Sequence, residues 1–134
     1  MPAPWEHPPT EPSREQICIV DDDEWVADSL KLLLETFGFD VRSYNSGADL
    51  LADGRRRAAG CLIIDQHMPG MNGLDLFERL QKEGVRAPAI LISGRLDTHT
   101  KERAARLGIT RALEKPFAAD RLVDLIRTVM SERN

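Results

Sequence analysis

From residue 16 onward the chain alternates between short runs of consecutive apolar residues and longer stretches in which apolar positions recur every three or four. The runs at residues 17–20, 41–44, 61–64, 89–92 and 111–113 read as strands. The first, third and fourth are apolar at every position, as strands covered on both faces must be, which predicts that they form the centre of a parallel sheet. Between the runs the period becomes helical. Val26, Leu30, Leu33, Leu34 and Phe37 share one face of a helix that Gly38 stops, and Leu122, Leu125, Ile126, Val129 and Met130 repeat the pattern in the last helix. Ser46 with Asp49 three residues on predicts a capped second helix, and Asn72 is the N-cap expected for the third. A fourth helix, residues 98–107, offers only small or scattered apolar side chains such as Ala104, Ala105 and Leu107, so it is expected to be weakly anchored and the one that moves. Five strands alternating with five helices predict an α/β fold with a doubly wound parallel sheet.

Composition narrows the class. With 42% hydrophobic and 30% charged residues in 134, the chain has the apolar mass for one domain with a real core and needs no disulfide framework. Its apolar runs fall far short of the roughly 18 residues of a membrane span, and no basic segment followed by an apolar stretch opens it, so neither a membrane nor a secretory role is expected. A net charge of 18 − 22 = −4 argues against nucleic acid as the main partner. Cys18 and Cys61 lie inside apolar runs without metal-site spacing, which reads as buried, reduced thiols of a cytoplasmic protein. Arg55, Arg56 and Arg57 read as a solvated loop between Gly54 and Gly60. Five of the eight prolines fall in the first twelve residues, so residues 1–15 read as a flexible leader in which Trp5 is incidental, residues 16–131 as the folded domain and 132–134 as a tail.

The chemistry gathers where the strands end. Asp21, Asp22, Asp23 and Glu24 follow the first strand, Asp65 closes the third, Ser93 follows the fourth and Lys115 the fifth. In a parallel sheet all of these emerge at the C-terminal edge, where doubly wound folds bind ligands. Carboxylates crowded there suit a hard, oxygen-seeking cation such as Mg²⁺. Asp23 and Glu24 are also what the positive end of a helix favours, but that reading leaves Asp65 without a reason. Ser93 alone reads as a turn residue before Gly94, and Lys115 alone as a surface lysine; their order along four strand ends is what singles them out.

Four segments carry a resemblance: residues 19–23 (Ile-Val-Asp-Asp-Asp), 62–73 (Leu-Ile-Ile-Asp-Gln-His-Met-Pro-Gly-Met-Asn-Gly), 90–94 (Ile-Leu-Ile-Ser-Gly) and 114–117 (Glu-Lys-Pro-Phe). In content and order they resemble the receiver domain of bacterial two-component response regulators, of the stand-alone type, across residues 16 to about 131. The resemblance implies a flavodoxin-like sheet of order 2-1-3-4-5. It implies Asp65 as phosphoacceptor, Asp22 as a direct Mg²⁺ ligand, Asp21 acting through metal-bound water, and the backbone carbonyl of His67 completing the metal set. Ser93 and Lys115 would contact phosphoryl oxygens, with Lys115 aimed inward by a cis bond to Pro116. Such a domain is no conventional enzyme: it takes the group from the phosphohistidine of a sensor histidine kinase and loses it slowly. Asp65 is then a carboxylate nucleophile needing positioning and charge neutralisation, which Mg²⁺ and Lys115 supply. Pro69 and Gly73, four and eight residues after Asp65, shape the loop.

Some positions depart from the family's commonest pattern. Ala112 stands where an aromatic ring often couples strand five to the hydroxyl after strand four, so the switch is expected to rely on loop and helix movement. His67 and Arg95 sit where side chains influence phosphoryl lifetime. With no output domain after the last helix, signalling is expected through the fourth helix, fifth strand and fifth helix, by homodimerisation or docking of a downstream protein; residues 95–111 carry five basic against two acidic side chains, an excess of +3. The enzyme alternative is a haloacid-dehalogenase-type phosphatase, for which Asp21 and Asp23 have the required spacing, but Glu24 and Trp25 break its motif and there is no room for a cap. A binding module never phosphorylated is the third reading, opposed by the intact Asp65, Ser93 and Lys115.

Overall fold

The computed structural model describes residues 16–132; the leader expected over residues 1–15, and residues 133–134 of the expected tail, lie outside them. Strand-forming runs appear where the pattern put them: β1 Gln16–Val20, β2 Asp40–Tyr44, β3 Ala59–Asp65, β4 Ala89–Ser93 and β5 Arg111–Glu114. All pairings are parallel, in the order β2-β1-β3-β4-β5. The three continuous apolar strands are therefore the interior ones, and every residue of β3 and β4 is buried.

Alternation along each strand divides the core in two. Cys18, Val20, Leu62, Ile64 and Leu91 pack on one face of the sheet under α2 (Gly47–Ala52), α3 (Gly73–Lys82) and α4 (Thr98–Arg106). Ile17, Ile19, Cys61, Ile63, Ile90 and Ile92 pack on the other face under α1 (Glu24–Thr36) and α5 (Ala119–Ser131). Both cysteines are buried, one in each layer.

The helix ends follow the predicted chemistry. Asp23 caps α1 by accepting the Trp25 and Val26 N–H groups, and Ser46 caps α2 through the Asp49 N–H. Gly38, at φ 91°, takes the left-handed turn that ends α1. As expected, α4 is thinly anchored: its buried residues are Thr100 and Ala104, against five in α3.

Two expectations need correction. The buried line of α1 is Ala27 and Leu34, seven residues and nearly two full turns apart, whereas Val26, Leu30 and Leu33 are half-buried and Phe37 is 45% exposed. The helix lies over the edge strand β2, a platform too narrow to cover the whole stripe, and Leu32 is left in solvent. The arginine run is solvated as expected at Arg55 and Arg57, but Arg56 is half-buried and the segment is not a plain loop. Residues Gly54–Ala58 form a 3-10 turn in which Arg55 grips Asp53 with Nε and Nη2, at 3.1 and 3.0 Å, and Arg56 pairs with Glu83 at 2.8 Å. Among the described residues no helix is long and apolar enough to cross a membrane.

Candidate functional site

The C-terminal ends of β1 and β3 lie side by side, with Val20 in register with Ile64, so the residues that follow meet as neighbours. Asp21 and Asp65 are both buried, and Asp22 is exposed beside them. One carboxylate oxygen from each of the three falls within 4.8 Å of the others. Lys115 arrives from the end of β5: its N–H donates to the Ser93 carbonyl at 2.7 Å, the peptide to Pro116 is cis, and its Nζ reaches Asp21 Oδ2 at 3.0 Å and Asp65 Oδ2 at 3.6 Å. Four of the expected residues are thus in mutual reach.

Crowding sets the protonation of the site. Burial, and then the Asp21 charge, push the Asp65 carboxyl up to about 6, against the opposing pull of Lys115. Burial works against the Lys115 ammonium, but the two carboxylates outweigh it and hold its pKa above the usual lysine value. The remaining oxygen of Asp21 is engaged by the Asp23 N–H at 2.9 Å.

Ser93 and His67 are placed differently from the acids. Ser93 is fully buried at the same edge, and its hydroxyl donates to the Arg95 carbonyl at 2.7 Å while accepting the Arg95 N–H at 3.1 Å. His67 is exposed, and its backbone N–H donates to Asp65 Oδ1 at 3.3 Å. Gly73 must be glycine: a Cβ there would sit 2.6 Å from the Asp65 carbonyl oxygen and 2.9 Å from Ile64 Cγ2.

Sequence reasoning passed over three contributors. Gln66, 8% exposed, accepts the Leu74 N–H on its side-chain oxygen. Glu114 accepts the Leu96 N–H at 2.9 Å and so ties the β4–α4 loop to the end of β5. Arg103 bridges α4 to Asp75 and Glu78 of α3. Gln66 and Glu114 stand within the quoted segments and Arg103 within the basic excess of residues 95–111, but their partners could not be read from the sequence.

Comparison with known proteins identifies the family. Residues 17–127 match the response regulator receiver domain. Response regulator protein TodT of Pseudomonas putida is 37% identical over 114 residues, which is 85% of this chain and 50% of TodT. Transcriptional regulatory protein FixJ of Bradyrhizobium diazoefficiens is 32% identical over 87% of this chain and 57% of its own length. The chain therefore spans about half the length of these curated relatives. Among solved structures, response regulator StyR superposes with a TM-score of 0.80 at 32% identity, over 88% of this chain and 60% of StyR. Chemotaxis protein CheY4 of Vibrio cholerae shares the fold, with a TM-score of 0.80 at 21% identity over 86% of this chain and 98% of its own. Because the match runs from the first strand into the last helix, the chain belongs to the response regulator receiver domains of two-component systems.

Proposed function

We propose that Asp65 accepts a phosphoryl group from the phosphohistidine of a sensor histidine kinase, with Mg²⁺, and that the modified domain signals through α4, β5 and α5. The unit that does this is residues 16–131, and the proposed donor sets it in the cytoplasm. The observation that carries the reading is the meeting of Asp21, Asp22, Asp65 and Lys115 at one sheet edge.

An Asp65 carboxylate oxygen attacks phosphorus, the phosphorus–nitrogen bond breaks, and the imidazole leaves with the bonding pair. Asp21, Asp22 and Asp65 are hard oxygen donors that fit Mg²⁺; Asp22, Asp65 and the His67 carbonyl would hold it directly, and Asp21 would act through metal-bound water. When bound, that ion supplies neutralisation of charge on the phosphoryl oxygens. Lys115 adds a second positive charge from the β5 side.

Ser93 reaches a phosphoryl oxygen by giving up its bond to the Arg95 carbonyl, which loosens residues 94–97 and hence the start of α4, capped by Asp97. With Ala112 in β5 in place of a ring, a cleft of about 860 Å³ opens between α4, β5 and α5, lined by Leu96, Ala104, Ala105, Ile109, Ala112 and Phe117. Lys101 and Arg121 border it. It is the face for a second copy or a downstream protein. The phosphatase alternative is disfavoured by Asp23, whose carboxylate is committed to capping α1.

Incubation with a phosphorylated kinase or acetyl phosphate tests the reading. Mg²⁺-dependent incorporation, abolished in Asp65→Asn, is expected; undiminished labelling in that variant, or labelling in excess chelator, overturns it. Hydrogen exchange with a beryllofluoride mimic tests the output face, where changes confined to the acid pocket would rule it out.

A further inference from the structure

A helix begins with four backbone N–H groups that no preceding turn can satisfy. In α3 all four have partners within residues 66–75. The Asn72 N–H donates to Asp75 Oδ2 at 3.3 Å, and the Asp75 N–H donates to Asn72 Oδ1 at 2.8 Å, a closed capping box. The other two donors both go to Gln66. The Gly73 N–H reaches its backbone carbonyl at 3.1 Å, and the Leu74 N–H reaches its side-chain Oε1 at 2.9 Å.

Gln66 is also the residue that follows Asp65. Its own N–H donates to the Ile92 carbonyl at 2.8 Å, which extends the β3–β4 pairing one step past Asp65, and its Cα lies 3.0 Å from where a Cβ on Gly73 would be. The loop of residues 67–72 thus leaves from Gln66 and returns to Gln66. His67, the first residue of that loop, donates its N–H to Asp65 Oδ1 at 3.3 Å. A leucine at position 66 would fill nearly the same volume but leave the Leu74 N–H without an acceptor in a buried place.

We infer that Gln66 is a positioning residue for phosphoryl transfer: its side-chain oxygen locks the start of α3 to the end of β3 and thereby holds the Asp65 carboxylate and the His67 main chain in attacking geometry. The inference rests on the reading of Asp65 as the phosphoacceptor. Gln66 touches neither donor nor acceptor atoms. Its effect comes through the loop, so it should appear in the transfer rate at saturating Mg²⁺ and donor more than in the concentrations that half-saturate the site.

The test uses the full chain and the variants Gln66→Leu and Gln66→Glu, with acetyl phosphate as donor. Glutamate keeps an oxygen for the Leu74 N–H and places it at the positive end of α3. In Gln66→Leu the Leu74 amide should exchange about tenfold faster while the Ile63 amide in β3 is unchanged, and labelling at saturation should fall about tenfold, the scale of one lost buried hydrogen bond. Gln66→Glu should restore both Leu74 protection and most of the rate. Labelling of Gln66→Leu at the unsubstituted rate overturns the positioning role alone. So does a Gln66→Glu chain that protects Leu74 and still labels slowly. If Gln66→Leu loses protection at Ile63 as well, Gln66→Asn, one methylene too short to reach Leu74, takes its place beside Gln66→Glu under the same criteria. Absence of any incorporation in the unsubstituted chain overturns the phosphoacceptor reading itself, and with it the inference.

Discussion

Arg103 in α4 lays Nη2 2.8 Å from Asp75 Oδ1 in α3, while the other oxygen of that carboxylate holds the Asn72 N–H. One acid therefore serves both as the reciprocal half of the α3 cap and as a tether of the thinly anchored α4. Because α3 begins against the Asp65 carbonyl, the tether links α4 to the loop that follows the proposed acceptor.

Removing that tether should free α4 at little cost in stability. Both side chains are partly exposed, so Arg103→Ala is expected to lower unfolding free energy by only about 0.5 to 1 kcal/mol, yet to speed amide exchange through residues 98–106 several-fold. Arg103 also holds the Asp75 carboxyl below its ordinary value, so the pair's contribution is present above the unfolded carboxyl range and is lost as pH falls through the folded pKa. In Arg103→Ala, an NMR titration of Asp75 should move back up toward 3.8. Unchanged α4 exchange would show that the tether does not restrain the helix.

In chelator, Asp65 makes the folded protein sensitive to pH in the direction opposite to a salt-bridged acid. Its folded pKa of about 6 lies above the ordinary 3.8, so between those values the native state holds more protons than the unfolded chain and stability falls as pH rises. Asp65→Asn should remove this term, gaining on the order of 2 to 3 kcal/mol over the unsubstituted chain at pH 7 and little at pH 3.5. Urea denaturation of both chains across that range checks it, and a pH-independent difference would refute it.

Lys115→Ala is expected to leave Mg²⁺ affinity intact or raise it, by up to roughly tenfold, because the ammonium lies 3.0 Å from Asp21 and competes for the same charge. Trp25, 81% exposed and two residues after Asp23, is a convenient fluorescent reporter. Phosphorylation should then no longer alter the α4–β5–α5 face. A large loss of metal binding would contradict the assigned role.

Gly73→Ala should be among the most damaging single-methyl additions in the domain. Its Cβ meets backbone oxygen at 2.6 Å, and neither β3 nor α3 has slack to give, so a loss of about 2 kcal/mol or more is expected, with slower labelling of Asp65. Gly54→Ala, where nothing lies within 4 Å, is the control and should be close to neutral.

The sequence by itself determined the elements, their order and which strands lie inside. Strands buried on both faces must be apolar at consecutive positions, and residues 17–20, 61–64 and 89–92 say so without reference to any partner. It also determined the acid edge, because parallel strands bring Asp21, Asp22, Asp65, Ser93 and Lys115 to one side whatever the details of packing. Local caps were readable for the same reason: Ser46 and Asn72 bond to groups three residues away.

What the tertiary structure decided are relations between residues far apart in the chain. Hydrophobic period located the stripe on α1, but the width of the sheet edge beneath it chose Ala27 and Leu34 and left Phe37 outside. Three successive arginines look alike as a string, and only the approach of Glu83, 27 residues further on, set Arg56 apart from its neighbours. The chemical type of Gln66 was visible, but not that its amide would meet the Leu74 N–H eight residues on, since that depends on how the loop closes. Periodicity is a property of neighbours along the chain; which donor finds which acceptor is settled only when strands and helices have brought distant segments within 3 Å or so of each other.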